Sequence, residues 1–90
     1  MASKTVTVGS SVGLHARPAT IIAEAASEYD EDIFLALVGA DDDEEPAEAA
    51  SSLMIMALGA EHGSEVIVTS ENAEAVEKIA SLIERDLDAE

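Results

Sequence analysis

The sequence predicts a two-layer α/β sandwich, a small sheet with helices on one face and the other face open. Three observations carry this. Segments with strand period and segments with helix period alternate along the chain. Each helical segment shows a single apolar stripe, so each needs only one surface to pack on. In 90 residues, three such helices cannot be shared between both faces of so small a sheet and leave it soluble.

The elements follow in order. KTVTV alternates, with Val6 and Val8 on one face and Thr5 and Thr7 on the other, and reads as a half-buried strand. GSSVGL is a glycine-punctuated loop. From residue 16 to about 29 the period turns helical through Ala19, Ile22, Ala23 and Ala26, and Pro18 suits a first turn because it has no N–H to waste there. DIFLALV is a second strand, with Ile33, Leu35 and Leu37 facing one way. An acidic loop at residues 41–45 precedes a second helix, which Pro46 can open and Gly59 can end. SEVIVTS is a further strand with Val66 and Val68 on one face. The last helix carries a stripe of Val76, Ile79, Ala80, Ile83 and Leu87, an expected Glu74–Lys78 pair, and Ser70 or Asn72 as its cap. No repeat or linker divides the chain, so residues 1–90 are expected to form one domain.

Composition narrows the function. The chain holds no cysteine, which removes disulfides and thiolate metal sites, and Phe34 and Tyr29 are its only aromatic residues, so the core is aliphatic. The N-terminus has neither the basic start nor the apolar centre of a signal peptide, and no apolar run approaches the length of about 20 residues that spans a bilayer. A cytoplasmic protein is expected. Four Lys and Arg stand against 20 Asp and Glu, a formal net charge of -16. That opposes nucleic acid or an anionic membrane as partner, since both require a basic face. The acids are spread along the chain as well as bunched in DDDEE, which fits a salt-rich, halophilic habitat where screening removes their repulsion.

Against this acidity the stretch VGLHARPAT places His15 two residues before Arg17, with Pro18 next. His15 falls where loop becomes helix. The first-turn N–H groups have no partner within a helix, and with the macrodipole they favour an anion. Ala16 and Arg17 can supply backbone donors, and the Arg17 guanidinium fork suits phosphate oxygens. An imidazole beside such partial positive charge is biased toward its neutral, nucleophilic form. Spacing alone leaves a second reading open, a surface histidine that merely ends a loop. His62, in GAEHGSE, reads as a turn residue, and no ligand spacing supports a metal site, so no metal and no cofactor are expected.

GLHARPAT resembles the active-site segment of the HPr family, histidine-containing phosphocarriers of the phosphoenolpyruvate-dependent sugar phosphotransferase system. SSLMIMALG resembles that family's second signature, a short helix bearing a regulatory serine. The resemblance implies a βαββαβα sandwich with antiparallel sheet order 1-4-2-3. It implies that His15 takes a phosphoryl group on Nδ1 from enzyme I, with Arg17 steadying it. The group would pass to the A component of a sugar permease or of a dihydroxyacetone kinase system. The matching docking positions are Ala16, Thr20, Ser52, Leu53 and Met56, and Ser51 aligns with the regulatory serine. So read, the chain is a phosphoryl carrier rather than a stand-alone enzyme.

The chain also departs from the family. Glu24 and Ser27 stand where basic residues are frequent, so docking must rest on compensating partner surfaces or on apolar contact. The longer acidic loop is expected to shorten or erase the third strand. Ala50 replaces the usual lysine before Ser51, which leaves a helix-capping or surface serine as an alternative to a modified one. A regulatory module of the same fold that acts by contact alone is the rival function, and the intact His15 and Arg17 count against it. A monomer is expected. Strand alternation nevertheless turns Phe34, Ala36, Val38 and Ile67 to the open sheet face, a patch that high salt can tolerate or that can support association.

Overall fold

The structure, a computed structural model, describes residues 2–9, 13, 16–39 and 46–85. The element order is β1 (Ala2–Thr7), α1 (Ala16–Ala26), β2 (Ile33–Leu37), β3 (Ala47–Glu48), α2 (Ser52–Ala57), β4 (Glu65–Ser70) and α3 (Ala73–Glu84). The four strands form one sheet in the order β1-β4-β2-β3, and every pairing is antiparallel. This is the expected open-faced sandwich.

Period-two patterning sets the register. Val6 pairs with Val66, Leu35 with Val68, and Leu37 with Val66, so one face of the sheet is a continuous aliphatic surface. A slip of one residue would turn all of these outward. The helices lie on that surface. α3 presents Ala75, Val76, Ile79, Ala80, Leu82 and Ile83, and α1 presents Pro18, Ala19, Ile22, Ala23 and Ala26. Leu87 of the expected stripe lies outside the described residues. α2 is anchored by Ile55, its one fully buried residue, with Met56 packed partly buried against the core beside it. Removing a buried aliphatic side chain the size of Ile55 costs about 2–5 kcal/mol, so that residue is the main anchor of the six.

The caps follow from local chemistry. Asn72 begins α3, and its Oδ1 accepts from the N–H groups of Glu74 (3.0 Å) and Ala75 (3.3 Å). The buried Ser70 accepts from the Asn72 N–H at 3.2 Å, which satisfies its hydroxyl oxygen. Gly59, at φ +71, follows the end of α2 as expected.

Two expectations are corrected, and that of a shortened third strand is borne out. Pro46 does not open the second helix. It precedes β3, and α2 begins six residues later behind its Ser51 cap. β3 is shortened to two residues but survives, because Phe34 and Leu35 of β2 still offer it pairing partners. The expected Glu74–Lys78 pair does not form. Lys4 reaches from β1 to Glu77 at 3.0 Å instead. Lys4 is on the helix-facing side of the strand, at the sheet edge beneath α3. The Glu77 carboxylate that accepts its hydrogen bond raises its pKa above the ordinary lysine value.

Candidate functional site

The site is built on the N-terminal end of α1. Ala16 is its first residue, so the chain enters the helix directly from His15; His15 itself lies outside the described residues. Eleven residues give α1 a full macrodipole, and its first turn contains no acid. Ala16 and Arg17 are exposed, while Pro18 and Ala19 are buried. Burial of that pair turns the helix so that it is pinned on one side and open on the other. The Thr20 hydroxyl donates to the Ala16 carbonyl at 2.7 Å, an i to i−4 bond that ties down the first turn.

The loop approaching His15 is held by its glycines. A Cβ on Gly9 would collide with the Glu84 carbonyl oxygen, and the Gly9 N–H donates to the Ile83 carbonyl at 3.0 Å. Gly13 is buried at φ +76, with the space its Cβ would take lying 2.6 Å from the Ala60 carbonyl oxygen. Gly9 is thus stitched to the end of α3 and Gly13 to the segment after α2.

Charge is arranged around this site in a way that residue-by-residue reading misses. All 20 acids of the chain lie at or after Glu24, whereas the first 23 residues hold two of its four cations, Lys4 and Arg17. A chain of net charge -16 therefore keeps β1, the loop and the helix start free of carboxylates. The signal was present in the sequence as an uneven distribution, hidden by the acidity of the total. In a strongly acidic molecule, a helix N-terminus with no acid in its first turn and an arginine there favours an anion.

The other expected residues lie on α1 and α2, which pack against each other. Thr20 is exposed on α1. On α2, Leu53 is 75% exposed, Ser52 and Met56 are half-buried, and Met54, not anticipated, is exposed as well. An exposed leucine and methionine on so short a helix are the chemistry of a protein contact rather than of a core. Ser51 is the N-cap of α2, and its Oγ accepts from the Met54 N–H at 3.3 Å. His62 is an exposed turn residue beside Glu65 and Glu84, and no cluster able to hold a metal occurs among the described residues. No helix among the described residues is long and apolar enough to cross a membrane.

The comparisons agree with this geometry. The family model for the PTS HPr component phosphorylation site matches residues 2–85. The chain belongs to the HPr family. It is 40% identical to the phosphocarrier protein HPr of Streptomyces coelicolor over 91 residues, covering 98% of this chain and 94% of that protein. It is 39% identical to the HPr of Haloferax volcanii over 72 residues, 80% of this chain and 78% of that one. Among solved structures, HPr-C-His from Thermoanaerobacter tengcongensis superposes with a TM-score of 0.81 at 30% identity, over 100% of this chain and 99% of that chain. The HPr assignment accounts for the strand order, and it makes the chain a phosphocarrier of the phosphotransferase system.

Proposed function

We propose that His15 accepts a phosphoryl group from phosphorylated enzyme I and passes it to the A component of a sugar permease or of a dihydroxyacetone kinase system. The observation that carries this reading is the acid-free start of α1, with Arg17 in its first turn. In each transfer an imidazole nitrogen attacks phosphorus while the bond from phosphorus to the donor nitrogen breaks, so no free phosphate is released. The backbone N–H groups of Ala16 and Arg17 and the Arg17 guanidinium offset charge on the phosphoryl oxygens. Ala16, Thr20, Ser52, Leu53 and Met56 form the docking surface for both partners, with Leu53 as the most exposed apolar anchor. Docking on that surface relies on apolar contact, since Glu24 supplies an acid where a basic rim would help an acidic partner. The whole of residues 1–90 acts as one domain in the cytoplasm of a salt-adapted cell.

Incubation with enzyme I and phosphoenolpyruvate, followed by intact mass, tests the assignment. One acid-labile phosphoryl group is expected on the wild type and none on His15→Ala. Phosphate on His62 in that variant would overturn it. Arg17→Ala should slow transfer without abolishing it, because the backbone donors remain.

A further inference from the structure

The open face of the sheet is ordered in rows. Ser3 of β1, Thr69 of β4, Phe34 of β2 and Glu48 of β3 lie side by side in one row. Thr5, Ile67 and Ala36 form the next. Thr7 and Glu65 form the third, continued by Val38, whose N–H donates to the Glu65 carbonyl at 3.0 Å. Read by columns, β1 shows only hydroxyls, β2 shows only apolar side chains, and acids occur only in the two outer rows. Phe34, Ala36, Ile67 and Thr69, with Pro46 beside them, line a shallow apolar groove, and Val38 is 49% exposed.

We propose that two copies of this chain pair weakly through these open faces, about an in-plane two-fold axis along the Thr5–Ile67–Ala36 row. The pattern is self-complementary under that operation, as an isologous interface must be. The rotation exchanges the outer rows and keeps each column on itself. Ile67 and Ala36 meet their own copies on the axis, Phe34 meets Val38 of the second copy, and Ser3 meets Thr7. Glu65 falls opposite Thr69, a hydroxyl, instead of another acid. On the outer side of α3 a second copy would instead meet carboxylates, with Glu74, Glu77 and Glu84 exposed. The helix face, with the start of α1 and the exposed residues of α2, stays free in both copies, so pairing lies beyond the carrier function and does not compete with it.

Size sets the strength. Four strands about 4.8 Å apart and five residues at about 3.3 Å each give a flat footprint of roughly 300 Å² per copy. That is well below the roughly 800 Å² per partner of a standard stable interface. The chain is therefore a monomer at micromolar concentration. Screening governs the rest. Each copy carries -16, and Glu48 and Glu65 stand in the outer rows of this face. Pairing therefore strengthens as salt rises.

Sedimentation of the full chain at about 1 mM should show a shift toward dimer in molar KCl that vanishes in dilute buffer, where the Debye length grows to about 30 Å at 0.01 M. Ala36→Asp, which sets two carboxylates against each other on the axis, should remain monomeric with unchanged circular dichroism. Since the chain has no cysteine, Ala36→Cys and Ile67→Cys give an independent test. Each should form a disulfide with its own copy about tenfold faster than a Glu24→Cys control on the helix side, because pairing raises the local thiol concentration. A wild type that stays monomeric at millimolar concentration in molar KCl overturns the proposal. So does cross-linking no faster than the control, even if Ala36→Asp fails to fold, or a dimer that survives in a folded Ala36→Asp.

Discussion

Replacing Gly13 with alanine should damage the fold and the site together. Two costs add at this position. The backbone sits at φ +76, a left-handed conformation that costs an L-residue with a Cβ about 1–2 kcal/mol. The new methyl would also sit 2.6 Å from the Ala60 carbonyl oxygen and 2.9 Å from the Glu61 Cα, both backbone atoms that no side-chain rotation can move. To reach ordinary contact the loop must part from residues 60–61 by roughly half an ångström or more, a strain comparable to overpacking a core at about 1–3 kcal/mol. The sum is about 2–5 kcal/mol, a large share of the about 5–15 kcal/mol that stabilises a typical domain. Gly39→Ala isolates the first cost, because Gly39 has φ +85 with nothing within 4 Å of its missing Cβ. With a urea slope of about 1–1.5 kcal/mol per molar, Gly13→Ala should unfold about 0.7–3 M earlier than Gly39→Ala in molar KCl. Its phosphoryl acceptance from enzyme I should also slow, since Gly13 is two residues from His15. Equal midpoints for the two variants would refute the steric argument and leave only backbone conformation at work.

Ser51→Ala should lower stability by about 1 kcal/mol through loss of the α2 cap, whereas Ser51→Asp, an equally good cap, should not; equal losses would show that the bond from the Met54 N–H to Ser51 contributes nothing. Denaturant midpoints should climb steeply from dilute to molar KCl as the -16 charge is screened, and a flat profile would remove the case for halophilic adaptation. The Lys4–Glu77 pair gives a pH signature. Because Glu77 raises the Lys4 pKa above 10.5, the pair's contribution is fully present below that value and is lost as pH rises through the higher folded-state pKa. The stability gap between wild type and Lys4→Met should therefore close above about pH 10.5, and a gap that persists there would point to packing of the lysine stem instead.

Local pattern made much of this molecule legible in advance. Val6, Leu35, Val66 and Val68 announced their strand faces by alternation, since a pleated strand sends neighbours to opposite sides. The α1 and α3 stripes announced theirs by helical period, and HARP marked the proposed phosphate site because an arginine and a helix start are local features. The second helix was misjudged at its start because Pro46 and Ser51 are both lawful openings. What decided between them was Phe34 and Leu35, which hold residues 47–48 in the sheet until Ser51 can cap. The same limit applies to ion pairs. Glu74 and Lys78 had the right spacing, but Lys4 is 73 residues from Glu77 in sequence and only 3.0 Å away in space. Sequence by itself determined which residues face inward and which chemistry sits at the start of α1, because both depend on near neighbours. The tertiary structure alone decided the tight seating of Gly9 and Gly13 against distant backbone and the register that sets the open-face residues side by side, while the sheet order was anticipated only through the family resemblance. Those depend on contacts between segments that only folding brings together.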